Sequence, residues 1–309
     1  MSSRYQLNRL WDGIAPILTT NLIEAGVIGA AANESLSLAA VAAFDRYTKS
    51  SLTSPAAAPA QDIDSSSSTN KRRRRRRQSF QDGQSAVDIV FTQTTKPSTS
   101  APTLNDNFFE YQRRMGYTLD NNQSDDDPLC QQLKETHIID AIIYYLQHFH
   151  VDNDNLPQQR LASSIVHELQ SDSPGVTIDL WATVQRGEGS HHKFHVHEGA
   201  VVSGVYYSNC PLGCAPLVLR RPLLDSVNDL NYNAQTIDDG VVEREDDKEI
   251  HPSNGQLVLF PPWLSHGVPQ QRDESSNLLP RVSWAFNLNA RLAYVGGNAW
   301  DVTRPLVRR

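Results

Sequence analysis

Residues 195–207 read HVHEGAVVSGVYY and carry more information on the fold than any other stretch of the chain. The second half of this stretch is rich in β-branched and aromatic residues, which favour a strand. Four histidines lie between His191 and His197. If the chain is extended from His195 to His197, both imidazoles share one face, with Cα atoms roughly 6.5–7 Å apart. Two such ligands can bind one metal ion, each at about 2.0–2.2 Å.

A third metal ligand has to come from elsewhere in the chain, and His266 is the natural candidate. It stands 71 residues after His195 and follows the strand-like stretch GQLVLF (255–260) and the stiff Pro261-Pro262 corner. A histidine pair on a strand is more often part of a polar surface than of a metal site. The three histidines together, in a β-rich half of the chain, predict a metal centre.

The segment RVSWAFN (281–287) begins fifteen residues after His266 and has a polar and an apolar face. On an extended strand Arg281 and Ser283 share the polar face. The apolar residues share the opposite face: Val282, Trp284, Phe286 and Leu288. An inward guanidinium and hydroxyl suit an anionic partner, and a carboxylate fits the fork of an arginine in a bidentate manner.

The C-terminal half consists of short β-rich runs separated by turn signals. The clearest runs are VTIDLWATV (176–184), AVVSGVYY (200–207), PLVLR (216–220), GQLVLF (255–260) and RVSWAFNL (281–288). No helical pattern separates them, which favours antiparallel pairing over a doubly wound parallel sheet. We therefore expect a β-sandwich or barrel.

The N-terminal half is predicted to be helical around one insertion. Residues 33–47 have apolar residues at helical spacing, with Asn33 placed to cap the helix. Residues 127–149 predict an amphipathic helix of about five turns, and a short helix is expected at Phe108–Met115. Residues 51–82 combine Pro/Ala, Ser and Arg runs. Such composition cannot bury enough apolar surface to fold, so we expect a disordered basic insertion.

The composition argues against a membrane-spanning protein and against a secreted disulfide framework. No apolar run in the 309 residues approaches the roughly 18 residues that a membrane span needs. The start of the chain lacks a signal or transit pattern, which predicts an intracellular location, cytoplasmic or nuclear. Cys130, Cys210 and Cys214 are too few for a disulfide framework and are expected to be free thiols. A zinc site using Cys210 and Cys214 is disfavoured, because no Cys or His pair stands nearby.

The basic charge of the chain is concentrated in one tract. Lys71–Arg77 carries +7, and since the net charge is −7, the remainder sums to −14. The tract could serve nuclear import or contact nucleic acid. It contains no interleaved aromatic residue. A solvated surface loop is therefore at least as good an explanation.

The order of these motifs resembles the Fe(II)- and 2-oxoglutarate-dependent oxygenases, in a branch related to prolyl hydroxylases. The resemblance covers about residues 176–290. It rests on Trp181 in a strand, HVHEGAVVSGVYY (195–207), FPPWLSH (260–266) and RVSWAFN (281–287). The opening LWDGIAPILTTNL (10–22) is also similar to an N-terminal strand of that branch.

The resemblance implies an α+β protein in which a double-stranded β-helix, or jelly roll, is supported by N-terminal helices. The implied division has four parts: the N-terminal part of the catalytic domain (1–50), the insertion (51–82), a helical support region (83–165) and the catalytic core (166–309).

The resemblance also implies the cofactors, Fe(II) with 2-oxoglutarate and O₂ as co-substrates, and the residues that bind them. The wider superfamily uses two histidines and one carboxylate, whereas His195, His197 and His266 give an all-histidine set here. Glu198 is the reserve ligand, but its opposite strand parity would require a bulge.

The residues of the Arg-x-Ser strand are implied to hold the co-substrate. Arg281 would pair with the distal carboxylate of 2-oxoglutarate, Ser283 would support it by a hydrogen bond, and Tyr207 would reach the same anion. The implied reaction is oxidative decarboxylation to succinate and CO₂, coupled to hydroxylation of an unknown primary substrate, which could be a protein side chain, a peptide or a small metabolite.

Two other functions compete with an oxygenase. A cupin-type metal enzyme with three histidines would use no keto acid, and the Arg281-x-Ser283 pair counts against it. A catalytically silent β-helix binding module would leave the histidines without a role and could bind nucleic acid through Lys71–Arg77. The intact spacing of the five site residues counts against this second alternative.

Overall fold

The β-rich runs of the C-terminal half form strands in a computed structural model of the protein. The structure describes residues 4–11, 14–53, 108–114, 128–149, 156–171, 175–185, 191–197, 199–222, 245–269, 279–290 and 302–303.

Two antiparallel sheets contain all the strands of the described residues. The strands are β1 (Gln6–Leu10), β2 (Ala15–Asn21), β3 (Phe108–Arg114), β4 (Val176–Gln185), β5 (His192–His195), β6 (Val202–Asn209), β7 (Leu217–Leu219), β8 (Lys248–Ile250), β9 (Gln256–Phe260), β10 (His266–Val268) and β11 (Arg281–Ala290). The larger sheet has the order β1-β2-β9-β6-β11-β4-β3, and the smaller has the order β5-β10-β7-β8. This arrangement confirms the predicted jelly-roll core and the antiparallel pairing.

The two faces of strand β6 pack into two different hydrophobic clusters. It is buried along nearly its whole length, because both faces of the larger sheet are covered. Val205 and Tyr207 face the smaller sheet and pack in a cluster with Leu219. Tyr206 faces the opposite way and joins the core beneath the helices. At Gly204 an added Cβ would lie 2.7 Å from the Val258 carbonyl oxygen, so the glycine of the SGVYY motif is required by close packing.

Four helices cover the outer face of the larger sheet. They are α1 (Ala30–Thr53), α2 (Pro128–Gln132), α3 (Ile139–His148) and α4 (Leu156–Gln170), and a π-helical segment, Leu133–Ile138, joins α2 to α3. The predicted long helix is therefore confirmed, with a π-helical stretch within it. None of the helices in these described parts has the length and apolar character needed to span a bilayer.

The predicted capping role of Asn33 is wrong, because α1 begins three residues earlier, at Ala30. The Asn33 side chain is instead buried against β6. Its amide donates to the Ser208 carbonyl oxygen at 2.8 Å and its Oδ1 accepts from the Tyr206 hydroxyl at 2.6 Å. Asn33 thus fastens the first helix to the central sheet.

The helix predicted at Phe108–Met115 is also wrong. Phe108–Arg114 forms strand β3, which pairs antiparallel with β4. The aromatic content of FFEYQRR suits a strand, and the free edge of β4 supplies the pairing that the local sequence does not reveal. The disordered insertion predicted for residues 51–82 lies outside the described residues from position 54 onward, and α1 extends to Thr53.

The cysteine prediction fails at two of three positions. Cys210 and Cys214 form a disulfide with a Cα–Cα distance of 5.7 Å, whereas Cys130 is a free, buried thiol. The loop between Cys210 and Cys214 turns at Gly213, whose φ is +80°. This turn brings the Cα atoms of the two cysteines within bridging distance. The zinc alternative is excluded in this state, because both thiols are used.

Replacing Asn33 should test how strongly α1 is fastened to the sheet. In Asn33→Ala the Tyr206 hydroxyl and the Ser208 carbonyl lose their partners inside the core. We expect the free energy of unfolding to fall by about 2–4 kcal/mol in chemical denaturation. The partly exposed Ser35 of the same helix provides the control, since Ser35→Ala should change stability by less than about 0.5 kcal/mol. Equal effects of the two variants would contradict this role.

Candidate metal and anion site

The three predicted histidines converge at one end of the smaller sheet. His195 at the end of β5 is the register partner of His266 at the start of β10, and His197 follows two residues after β5. One ring nitrogen from each histidine lies within 4.8 Å of the other two. The assignment of these residues as metal ligands stays a prediction, but the distances are those of groups that can share one ion.

Backbone contacts fix the orientation of this cluster. The Nδ1 of His266 lies 2.8 Å from the Leu264 carbonyl oxygen. Because a carbonyl only accepts, this nitrogen carries the proton and leaves Nε2 as a free donor atom. The Nε2 atoms of His266 and His197 are 3.2 Å apart. The backbone amide of His197 donates to the Pro262 carbonyl oxygen at 2.9 Å, which ties the histidine loop to the Pro261-Pro262 corner.

Burial keeps the imidazoles uncharged. Desolvation lowers the pKa of His197 and of His266 well below the usual value, and the neighbouring His195 lowers both further. Neutral imidazole is the form that binds a metal ion. His197 and His266 are therefore in their ligand form at neutral pH.

A fourth histidine, His192, belongs to the site although the sequence did not single it out. Its ring centroid lies 4.3 Å from that of His195. Burial lowers the pKa of His192 well below its usual value, and the nearby His195, His266 and Arg281 lower it further. His192 is thus within electrostatic range of both the histidine cluster and Arg281.

The predicted anion-binding residues lie together on the inner face of the larger sheet. Ser283 on β11 is the register partner of Tyr207 on β6, and Arg281 lies two residues before Ser283 on the same face. All three are buried, with exposures of 5% or less. The guanidinium carbon of Arg281 lies 5.0 Å from the centre of the Tyr207 ring.

The guanidinium of Arg281 is a buried cation with unmet hydrogen-bonding capacity. Its Nη1 donates to Oε1 of Gln185, the register partner of Arg281 on β4. Within the described residues, neither Arg281 Nε nor the Tyr207 hydroxyl forms a well-shaped hydrogen bond, and no carboxylate pairs with Arg281. Burial lowers the pKa of Arg281 and raises that of Tyr207. An arginine nevertheless stays protonated, so an anion would be favoured beside Arg281.

Sequence reasoning missed Gln185 and Asn287 as well as His192. Asn287 shares the strand parity of Arg281, and its Nδ2 lies 3.1 Å from Nδ1 of His197. That parity was a usable signal for Asn287, whereas Gln185 could be found only once the β4–β11 register was known. The reserve ligand Glu198 lies outside the described residues.

One family model matches the part of the chain that contains these residues. Residues 179–287 match the family model described as putative 2OG-Fe(II) oxygenase, which confirms the family predicted from the sequence for this part of the chain. A comparison with curated proteins gives no match.

Solved structures resemble the chain only distantly. A 2OG-Fe(II) oxygenase family protein from Burkholderia pseudomallei is 10% identical over 46% of this chain and 55% of its own, with a TM-score of 0.27. HygX from Streptomyces hygroscopicus, solved with nickel and 2-oxoglutarate bound, is 13% identical over 37% of this chain and 56% of its own, with a TM-score of 0.25. A putative oxygenase from Shewanella oneidensis is 9% identical over 72% of this chain and 76% of its own, with a TM-score of 0.39. The chain thus spans just over half the length of the first two.

Removing single histidines should test the metal assignment. Purified protein is expected to bind about one Mn(II) or Fe(II), and alanine at His195, His197 or His266 should each weaken binding severely, because three protein ligands are few enough that each is essential. Isothermal titration with Mn(II) under argon provides the measurement. The exposed His167 on α4 is the control, and His167→Ala should bind as wild type does. A triple alanine variant that kept the wild-type metal content would show that the ion binds elsewhere.

Proposed function

We propose that the protein is an Fe(II)- and 2-oxoglutarate-dependent dioxygenase, because residues 179–287 match the model of a putative 2OG-Fe(II) oxygenase family. It would oxidise a primary substrate while 2-oxoglutarate is converted to succinate and CO₂. A protein side chain, a peptide and a small metabolite are all compatible with the site as a primary substrate.

One observation carries the proposal: a buried cation, Arg281, for which the described residues supply no carboxylate partner, lies close enough to the histidine cluster to lower the pKa of His192 together with His195 and His266. An isolated buried charge is costly, by several kcal/mol even after relaxation. Within the described residues, Arg281 Nε and the Tyr207 hydroxyl make no well-shaped hydrogen bond, so an anionic ligand could accept from both. A dicarboxylate is the simplest ligand that offers one carboxylate to this pair and other oxygens to a metal ion.

The histidines fit a ferrous ion by their chemistry. Imidazole nitrogen is a good ligand for iron, and the burial that keeps His197 and His266 neutral also leaves their donor atoms available. Three protein ligands leave positions free for a co-substrate and for oxygen. When bound, the iron would supply the activation of O₂, which protein side chains do not provide.

The residues of the chain would bind, orient and enclose the co-substrate. Arg281 would hold the distal carboxylate in a bidentate pair, with Gln185 keeping the guanidinium plane fixed. The hydroxyls of Ser283 and Tyr207 would support the same carboxylate. Phe260, whose ring centroid lies 4.5 Å from that of His266, would keep water from the histidine cluster.

Two alternative functions each leave one part of the site unexplained. A cupin-type enzyme with three histidines has no need for a buried cation near its metal ligands. A silent binding module has no need for neutral, converging imidazoles. Nucleic-acid binding by Lys71–Arg77 is a separate prediction, and that tract lies outside the described residues.

Arg281 gives the sharpest test of the proposed function. Loss of a bidentate, charge-assisted contact should cost about 2–4 kcal/mol, so Arg281→Ala should weaken 2-oxoglutarate binding roughly thirty- to a thousand-fold. Arg281→Lys should rescue only part of the loss, because a point charge does not reproduce the planar fork. The measurement is calorimetric titration of 2-oxoglutarate into Mn(II)-loaded protein without oxygen.

Arg221 provides the matched control for this titration. It is an arginine in the same region, but it pairs at the surface with Asp246 at 3.4 Å. Arg221→Ala should therefore bind 2-oxoglutarate as wild type does, and all variants should keep their Mn(II). Equal 2-oxoglutarate affinity of the wild type, Arg281→Ala and Arg281→Lys would refute the proposal, and absence of binding by metal-loaded wild type would favour the two alternatives.

A further inference from the structure

The side chain of Arg220 lies on the face of the smaller sheet that is opposite to the histidines. Its backbone amide donates to the Ser265 carbonyl oxygen at 2.8 Å, which continues the pairing of β7 with β10. Leu219, just before it, packs in the inner cluster and is the register partner of His266. Because successive residues of a strand point to opposite faces, Arg220 points away from the side on which His266 lies.

The guanidinium of Arg220 reaches across β10 to strand β5. Its carbon lies 3.7 Å from the centre of the Phe194 ring, within the range of a cation–π contact. The order of the sheet is β5-β10-β7-β8, so β10 lies between the two residues. Gly267 of β10 makes the contact possible, because a Cβ there would lie 3.1 Å from Phe194 Cγ and 2.9 Å from the His192 carbonyl oxygen.

A buried carboxylate holds Arg220 from the other side. Oδ2 of Asp247 lies 3.6 Å from Nε of Arg220, and the Asp247 and Arg220 side chains are only 6% and 9% exposed. Asp247 directly precedes Lys248, the register partner of Leu219, so the two charged residues are neighbours across β7 and β8. The row of contacts therefore spans all four strands of the smaller sheet.

The two strands that carry His195 and His266 pair over a short and irregular stretch. They share two register pairs, His195 with His266 and His192 with Val268, and the register shifts between these pairs. A shift of this kind lets a strand bend and changes the direction of its side chains. Backbone pairing alone therefore fixes the separation of the two proposed ligands only weakly.

We propose that Arg220 is a positioning residue whose stacking on Phe194 fixes the separation of the two histidines on the opposite face. Phe194 directly precedes His195, and Gly267, against which it packs, directly follows His266. A displacement of Phe194 therefore displaces one proposed ligand relative to the other. Arg220 acts through these strands and does not touch the ion. The inference deepens the proposed function and rests on its metal site.

The charge of Arg220 gives the expected effect a distinctive sign. By Coulomb's law, removing this cation and leaving the Asp247 carboxylate behind should strengthen the binding of a divalent ion nearby. Loss of a positioning contact should weaken it. We expect Arg220→Ala to weaken Mn(II) binding about 10–100-fold, the usual effect of losing a group that orients a metal ligand. Arg220→Lys keeps the charge without the planar group and should restore only part of the affinity.

Variants of Phe194 test the same contact from its other side. Phe194→Leu removes the aromatic face and should weaken Mn(II) binding, whereas Phe194→Tyr keeps that face and should bind nearly as wild type does. Combining Phe194→Leu with Arg220→Ala should weaken binding little more than the more severe single substitution, because both remove one contact.

Arg221 provides the matched control. It follows Arg220 directly, but it pairs at the surface with Asp246 at 3.4 Å, so Arg221→Ala should not weaken Mn(II) binding. Thermal unfolding shows which variants are folded, and if Arg220→Ala is not, the comparison of Phe194→Leu with Phe194→Tyr decides. Unchanged or tighter Mn(II) binding by folded Arg220→Ala would overturn the proposal, as would equal affinities of the two Phe194 variants.

A readout in the metal-free protein separates this inference from the proposed function. The ring centroids of His195 and His266 lie 4.4 Å apart, so a nuclear Overhauser effect between their ring protons should be observed in wild type. The effect should weaken in Arg220→Ala and in Phe194→Leu, and persist in Arg221→Ala. An unchanged effect in Arg220→Ala would overturn the inference. If wild type binds no metal ion, the proposed function fails, and this comparison still decides whether Arg220 positions the histidines.

Discussion

Strand β11 is paired on both sides, with β4 and with β6, over almost its full length. This double pairing fixes the side on which each of its residues lies. Trp284, Phe286 and Leu288 enter the core beneath the helices, while Arg281, Ser283 and Asn287 lie on the inner face. The histidines of β5 and β10 approach that face from the smaller sheet. Both halves of the proposed site therefore depend on the register of this one strand.

The electrostatics of the cavity follow from its burial. Desolvation favours neutral histidines, while an arginine stays charged even when buried. The site thus combines the permanent cation Arg281 with the neutral imidazoles of His192, His197 and His266. A divalent metal ion would add positive charge, and a dicarboxylate co-substrate would balance it. Metal and co-substrate should therefore favour each other's binding, which is a physical reason for placing the two sites side by side.

The sequence predicted those features that depend on local pattern and chemical type. Strand periodicity placed Arg281 and Ser283 on one face, and the order of His195, His197 and His266 predicted their convergence. It could not predict what depends on tertiary pairing. Phe108–Arg114 is a strand because β4 has a free edge, and Asn33 is buried because α1 packs on β6. The Cys210–Cys214 disulfide depends on a turn at Gly213 whose geometry the composition does not specify. Gln185 needed the register of β4 and β11, and His192 needed the position of the His195 ring, whereas the strand parity of Asn287 was a signal that could have been used.

Conversion of 2-oxoglutarate is the measurement that tests the central claim most directly. Purified protein supplied with Fe(II), O₂ and carbon-labelled 2-oxoglutarate, with and without cell extract, should release succinate and CO₂ in equal amounts. His266→Ala should release neither, because it lacks one of the three proposed ligands. Wild type that binds Fe(II) and 2-oxoglutarate but leaves the keto acid intact, even in the presence of extract, would contradict the account.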